Sequence, residues 1–344
     1  MELKKKSVRR GGRLPPLAFS TVFDVVEAMD EEWKPKNMEF KHPYIKLLRP
    51  RGKANFPFSN SIFIDDDLKV LIDLGAGASI YAPLASRVDL VLLTHHHFDH
   101  IHAWPMFNDG RIRVSAEEEF LFYSPEQFND SNGYSRWSEM MGHNYVRISR
   151  QANKLKNPEL LAPYRFPEDI ELRGVYHDGD IFDCGHVQIQ ALHLPGHSVG
   201  HYGFYFPEEG LIFSADYDLA PSGPWFGGTF CDYQKLVDSL HRIAELKPRL
   251  IFGSHRYKVF DQVDQQLYEF MSIPLQRESK ILYALAERPR SFKELAAMAS
   301  MISSDDDKYN VFWDRMMLSR QLDYMVDTGL VRWYDNQFYE RIHR

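Results

Sequence analysis

Five of the fifteen histidines in this 344-residue chain fall within eight consecutive positions, in the run Thr94-His95-His96-His97-Phe98-Asp99-His100-Ile101-His102. Imidazoles crowded this closely repel one another when protonated, and neutral imidazoles gathered at one point are ligands for a shared cation. The fold must therefore converge several of them. The apolar run Asp89-Leu90-Val91-Leu92-Leu93 comes just before and reads as a strand. In extended backbone, residues two apart project to the same side, so His95 and His97 form a two-imidazole bite at the strand's end. His96 points away and reads as a core or supporting histidine. Asp99 and His100 follow where the chain must turn, and can face a second cation. Imidazole and carboxylate are what zinc and its neighbours take when thiolate is absent.

Composition narrows the setting for this chemistry. The two cysteines, Cys184 and Cys231, form no CxxC pair, which argues against a disulfide framework and against thiolate-metal or redox chemistry; both read as small apolar packing residues. No apolar run is long enough to cross a bilayer, and the polar start has no apolar core of a secretory signal, so a cytoplasmic protein with no membrane association is expected. A formal net charge of −7 disfavours a chain built to coat nucleic acid. Residues 1–20 hold a basic flexible tail. From about residue 59, short apolar runs such as "SIFID", "KVLID" and "LIFSAD" alternate with Gly, Pro and Asp, and helical patterns such as 232–246 lie between them. Continuously apolar strands with outer helices give an α/β (α+β) chain of four-layer αββα form. Three pieces are expected: the tail, a catalytic domain over 21–274, and a separate domain over 275–344.

Within the catalytic domain, residues 115–170 read as a helical insertion. Ser115 and Glu118 have capping-box spacing, and the aromatics Phe120, Phe122, Tyr123, Tyr134, Trp137 and Tyr145 would form the small core of a lid. After Pro274, helices near 277–288, from Ser291 and over 309–328, then two short strands, give a winged-helix-like pattern. Its basic and acidic residues balance, so a structural role or homodimerisation is favoured over DNA reading.

Further ligand-type residues end other strand-like runs: Asp73 closing "KVLID", His197 in the Pro-Gly turn after "VQIQAL", Asp216 after "LIFSA", and His255 after "RLIFGS". On these residues and their order, the chain resembles the metallo-β-lactamase superfamily, most closely its glyoxalase-II-like hydrolases, over roughly residues 59–260. The resemblance implies two divalent metal ions, zinc first and iron or manganese as alternatives. It assigns His95, His97 and His197 to one metal, Asp99, His100 and His255 to the other, and Asp216 to a bridge. Asp73 corresponds to an aspartate that orients the site, and His201 to a structural residue. One departure is Ile101-His102-Ala103, where such hydrolases commonly have two small residues, which argues against glutathione thioesters themselves.

The expected chemistry is hydrolysis of a small ester, thioester or lactone by a metal-activated hydroxide, with Asp99 as a proton donor and Asp73 in support. Tyr217, Trp225 and His102 are the candidates for substrate contact. Three other readings use the same residues differently: a two-metal phosphodiesterase or ribonuclease acting on nucleic acid, a single-iron sulfur oxygenase, and a non-catalytic DNA-binding regulator. The intact ligand set speaks against the last.

Overall fold

The computed structural model describes residues 40–145, 155–301, 307–335 and 337–342. The expected tail over 1–20 lies outside the described residues, as do positions 146–154 of the expected insertion. Six strands form the first sheet: β1 (Ile45–Leu48), β2 (Ser61–Ile64), β3 (Val70–Ile72), β4 (Leu90–Leu92), β5 (Ile112–Ser115) and β6 (Leu172–Tyr176). They lie side by side in chain order. β1 to β3 pair antiparallel, and β3 to β6 pair parallel. A second sheet holds β7 (Ile181–Asp183), β8 (Gln188–His193), β9 (Tyr202–Phe206), β10 (Leu211–Phe213) and β11 (Leu250–Phe252), in the order β11-β10-β9-β8-β7. Its β10 and β11 are parallel, connected across the helix Tyr233–Leu246.

Period-two alternation sorts the strand residues between layers. Ile62, Ile64, Ile72 and Leu92 of the first sheet face Ile189, Phe204, Phe213 and Phe252 of the second in one buried cluster. Their neighbours Phe63, Leu71 and Val91 turn outward and pack with Tyr81, Ile101, Phe107 and Phe122. On the far side, Ile212 and Ile251 meet Leu236, Leu240 and Ile243 of the helix Tyr233–Leu246 and Leu267 and Phe270 of the next helix. Both sheets are covered on both faces, which is the αββα layering and the reason their strands read as unbroken apolar runs.

Three local expectations change. The break at Pro274 is absent: one helix, Val263–Ala284, runs through that proline. A proline removes one helical hydrogen bond, but burial of Pro274 between packed helices outweighs it, and its carbonyl accepts from Gln321 Nε2 at 2.9 Å. Ser115 and Glu118 make no helix cap: Ser115 ends β5 and donates to the Gly200 carbonyl at 2.9 Å, and only a short 3-10 turn, Glu119–Tyr123, follows. The insertion aromatics do not build a core of their own. Short helical turns bury too little surface for that. Trp137 and Met140 instead pack against Tyr309, Phe312 and Met316 of the helix Lys308–Asp327, while Phe122 joins the outer layer of the first sheet.

Beyond the helix Val263–Ala284 come β12 (Arg290–Ser291), the helix Phe292–Met298, the helix Lys308–Asp327, β13 (Val331–Tyr334) and β14 (Phe338–Arg341), with sheet order β12-β14-β13. Ile281, Leu295, Leu318, Leu322 and Tyr339 form its core. Here a capping box does occur: Ser291 Oγ accepts from the Glu294 amide at 3.4 Å, and the Glu294 carboxylate accepts from the Ser291 amide at 2.9 Å. Ser291→Ala should lose about 1 kcal/mol of stability, read as a small drop in thermal midpoint, whereas Ser124→Ala, which caps only the six-residue helix Pro125–Asp130, should lose less.

Candidate metal centre

The C-terminal ends of β3, β4, β8, β10 and β11 deliver Asp73, the His95–His100 segment, His197, Asp216 and His255 to one edge of the sandwich. Two of these ends leave their strands through backbone that L-residues rarely adopt: Asp73 has φ 63° and Ala215, just before Asp216, has φ 48°. Such strain is retained where the surroundings hold it. For Asp73 the hold is explicit. Its carboxylate accepts from the Thr94 amide at 2.8 Å, from Thr94 Oγ1 at 2.9 Å and from His100 Nδ1 at 2.7 Å, all fully buried.

Two groups of ligand atoms result, each within metal-binding reach: His95, His97, His197 and Asp216, and then Asp99, His100 and His255. In the first, His95 Nε2, His97 Nδ1 and His197 Nε2 stand 3.0, 3.0 and 3.2 Å apart. One face of a tetrahedron with metal-nitrogen bonds of about 2.0–2.1 Å has edges of about 3.3 Å. The far nitrogens settle the tautomers. Thr94 Oγ1 gives its proton to Asp73, so at 2.9 Å from His95 Nδ1 it must accept there. His197 Nδ1 donates to the Trp225 carbonyl at 3.0 Å. Both Nε2 atoms therefore point lone pairs at each other, which suits a cation held between them.

Asp216 serves both groups. Its Oδ2 lies 3.2 Å from His197 Nε2 and 3.9 Å from His95 Nε2, and its Oδ1 lies 2.9 Å from His100 Nε2 and 3.4 Å from His255 Nε2. Buried Asp216 Oδ1 and His100 Nε2 lack a well-directed hydrogen-bond partner. Asp99 Oδ2 is 3.6 Å from His255 Nε2, whose Nδ1 donates to the Ala54 carbonyl at 3.2 Å. Electrostatics divides the two groups. Burial, with neighbouring imidazoles, holds His95 and His97 well below the usual histidine range, so both are neutral ligands. Burial also opposes charge on His100 and His255, but Asp216 overcomes it, raising His100 well above that range and His255 to about 9.

Other residues hold the ligands. His201, pushed down to about 3 by burial, donates from Nδ1 to the Leu194 carbonyl at 2.9 Å and accepts the Asp216 amide on Nε2 at 3.2 Å. Tyr217, expected at the substrate rim, is fully buried: its hydroxyl donates to the Pro195 carbonyl at 2.7 Å and accepts from the His197 amide at 3.3 Å. His102 is likewise sealed in, under Phe58 and Phe98, and donates to the Gly75 carbonyl at 3.2 Å. Trp225 does border the centre, its ring 5.5 Å from that of His97 and 5.3 Å from that of His197. His96 turns away, with Nδ1 3.1 Å from the Glu118 carboxylate.

Glu118 is the residue sequence reasoning missed. Fully buried, it accepts from the His96 amide at 2.7 Å, the Gly200 amide at 3.2 Å and the Ser198 hydroxyl, so one carboxylate joins both histidine loops. Cys231 does more than fill apolar space, since its thiol donates to the His197 carbonyl at 2.9 Å. Close packing fixes the turn as well: a Cβ on Gly196, at φ 123°, would stand 2.3 Å from the Leu236 amide nitrogen.

The family model of the metallo-beta-lactamase superfamily matches residues 54–255, more than half of the chain, and the chain belongs to that superfamily. It is 28% identical over 224 residues to a hydroxyacylglutathione hydrolase of Bdellovibrio bacteriovorus, covering 63% of this chain and 69% of that protein. It is 24% identical over 262 residues to an atrochrysone carboxyl ACP thioesterase of Aspergillus fumigatus, covering 71% and 67%. Among solved structures, a metallo-beta-lactamase family protein of Thermus thermophilus superposes with a TM-score of 0.64 at 22% identity, over 88% of this chain and 99% of that one. The family binds divalent metal and is one of hydrolases.

Two outcomes follow from the geometry. Asp73→Asn keeps shape but loses the charge that fixes His100, so metal affinity should fall about 10- to 100-fold in a chelator competition. The second concerns pH. A histidine raised on folding contributes stability that is complete below its ordinary value of 6.5 and is lost as pH rises through its folded value, here about 9 for His255. Chelator-treated protein should therefore melt at lower temperature above about pH 9 than near neutrality. Metal-loaded protein should not share that decline, since bound metal replaces those protons.

Proposed function

We propose that the chain is a hydrolase of a small ester, thioester or lactone, working with two divalent metal ions, zinc first and iron or manganese as alternatives. The observation that carries this reading is Asp216, whose two oxygens face two separate sets of nitrogens. On this reading His95, His97 and His197 would hold one ion, Asp99, His100 and His255 would hold the other, and Asp216 would serve both. Ions so held supply Lewis acidity and a water that loses its proton near neutral pH. The chain's own residues supply the rest. Asp73 keeps the proton of His100 on Nδ1, so that Nε2 stays a ligand. Asp99 is the group placed to return a proton to a leaving oxygen, and a thiolate leaving group would need none. Trp225 shields His97 and His197 on one side, making a drier wall for the substrate.

The thioester option has support from the relatives, a hydroxyacylglutathione hydrolase and an ACP thioesterase. The phosphodiesterase option is weaker. A winged-helix-like reading of the C-terminal segment suits its helices and small sheet, but the helix Lys308–Asp327 spends one face on its own core and another on Trp137 and Met140. The positions this helix leaves exposed, Lys308, Asn310, Asp323 and Asp327, make no cationic face for a DNA groove, and we assign the segment a structural role. A single-iron oxygenase would leave Asp99, His100 and His255 without a purpose. Among the described residues no helix is long and apolar enough to cross a membrane.

Asp216→Ala tests the scheme directly. Metal content by elemental analysis should fall and turnover of an ester and thioester panel should drop by at least about a hundredfold, in line with the loss of a ligand shared by both ions. Full turnover with metal absent would remove the proposal.

A further inference from the structure

Two loops beside the second ligand group carry positive charge that the hydrolytic reading leaves unused. One follows β1 and reads Arg49-Pro50-Arg51-Gly52-Lys53, and the other follows β11 and reads His255-Arg256-Tyr257-Lys258. They are tied together. The Arg49 guanidinium donates to the Tyr257 carbonyl at 2.8 Å, and the Tyr257 hydroxyl donates to the Gly52 carbonyl. The ligand His255 is bonded to the same loop through Ala54. Five cations thus occupy joined loops in a chain of net charge −7, and among the described residues none of the five forms an ion pair. Like charges gathered with no carboxylate at ion-pair distance repel, and Glu159 near Arg51 and Asp218 near Arg256 offset only part of that repulsion, which leaves room for an anion.

A cavity of about 320 Å³ opens against the first loop. Arg51, Lys53 and Asn55 line its polar wall, and Phe56, Pro57 and Phe58 its apolar wall. Glu159 also reaches it, but that carboxylate is engaged by the Ser79 amide at 2.7 Å. The chain just after this loop is tied to two ligand-bearing segments, because Ser59 Oγ donates to the Asp99 carbonyl at 2.8 Å and Asn60 Nδ2 to the Gly253 carbonyl at 3.0 Å.

We propose that this cavity is a subsite for a phosphate-bearing arm of a small-molecule substrate, gripped by Arg51 and Lys53 in the field of Arg49, Arg256 and Lys258. The inference rests on the hydrolytic reading, in which the bond to be cleaved lies at Asp216. A phosphate suits the site better than a carboxylate. It carries more charge and three acceptor oxygens, and an arginine fork takes two of them at once. The apolar wall takes the rest of the arm. A bounded cavity on a net acidic chain fits a small molecule better than a nucleic-acid strand, which needs a track of cations along its length.

The test is calorimetric titration of the full chain with adenosine 3′,5′-bisphosphate, with no turnover required. Binding should weaken about tenfold or more in the Arg51→Glu/Lys53→Glu double variant, should weaken as salt is raised, and should stay within about twofold of wild type in Asp216→Ala. A milder Arg51→Ala/Lys53→Ala pair, checked by thermal melting, covers any folding defect of the charge reversal. Three results would overturn the subsite: no binding to wild type, binding lost in Asp216→Ala but indifferent to Arg51 and Lys53, or much tighter binding of a short single-stranded RNA. Hydrolysis of a neutral ester by wild type is followed separately. Its absence alongside Arg51- and Lys53-dependent binding would remove the hydrolase reading and keep the anion site.

Discussion

The centre depends on holding atoms together that would otherwise separate. His95 and His197 aim lone pairs at each other across 3.2 Å, and Asp216 brings a carboxylate to the same spot. Flexible side chains on loops would splay. Here four of the five ligand rings are pinned at the far nitrogen, by Thr94 for His95, Asp73 for His100, Trp225 for His197 and Ala54 for His255. Those partners belong to separate segments of the chain, so the pinning works only because the sheets that carry them are rigid. Burial on both faces of both sheets is therefore part of the metal chemistry.

That rigidity also accounts for the unusual backbone. Asp73 and Ala215 each sit at positive φ, at a cost of order 1–3 kcal/mol per residue. At Ala215 the turn brings the Asp216 amide onto His201 Nε2, and at Asp73 it aims one carboxylate at Thr94 and His100 together. Unstrained residues at these positions would send both carboxylates elsewhere. Three apolar clusters, between the sheets and on either outer face, supply the stability that tolerates the strain.

The ligands were legible because their signal is local. His95, His97, Asp99 and His100 declare themselves by parity at one strand end, and Asp73, His197, Asp216 and His255 each close an apolar run. The αββα layering was legible for the same reason, through strands with no polar face. What stayed hidden depends on contacts far apart in sequence. Nothing around Glu118 marks it as the clamp between His96 and Ser198, and its spacing from Ser115 imitates a helix cap that Ser291 and Glu294 make instead. Tyr217 and His102 look like rim residues by proximity to ligands, yet the fold turns them inward to brace the His197 and Gly75 turns. Proline at 274 is a strong local stop signal, and tertiary packing overrode it.

The C-terminal segment is joined to the centre more closely than a separate domain would be. Trp313 lies 5.9 Å from Trp225 and against Gly227, and Arg320 donates to the Thr229 carbonyl at 2.9 Å. The loop that runs from Pro221 to Cys231 and supplies the Trp225 carbonyl to His197 is thereby held from both sides. Strand ends fix the ligands, whereas this loop, the 49–58 loop and the 255–258 segment lie outside the strands. Loops can change without moving the strands. A hydroxyacylglutathione hydrolase and an ACP thioesterase can both resemble this chain for that reason.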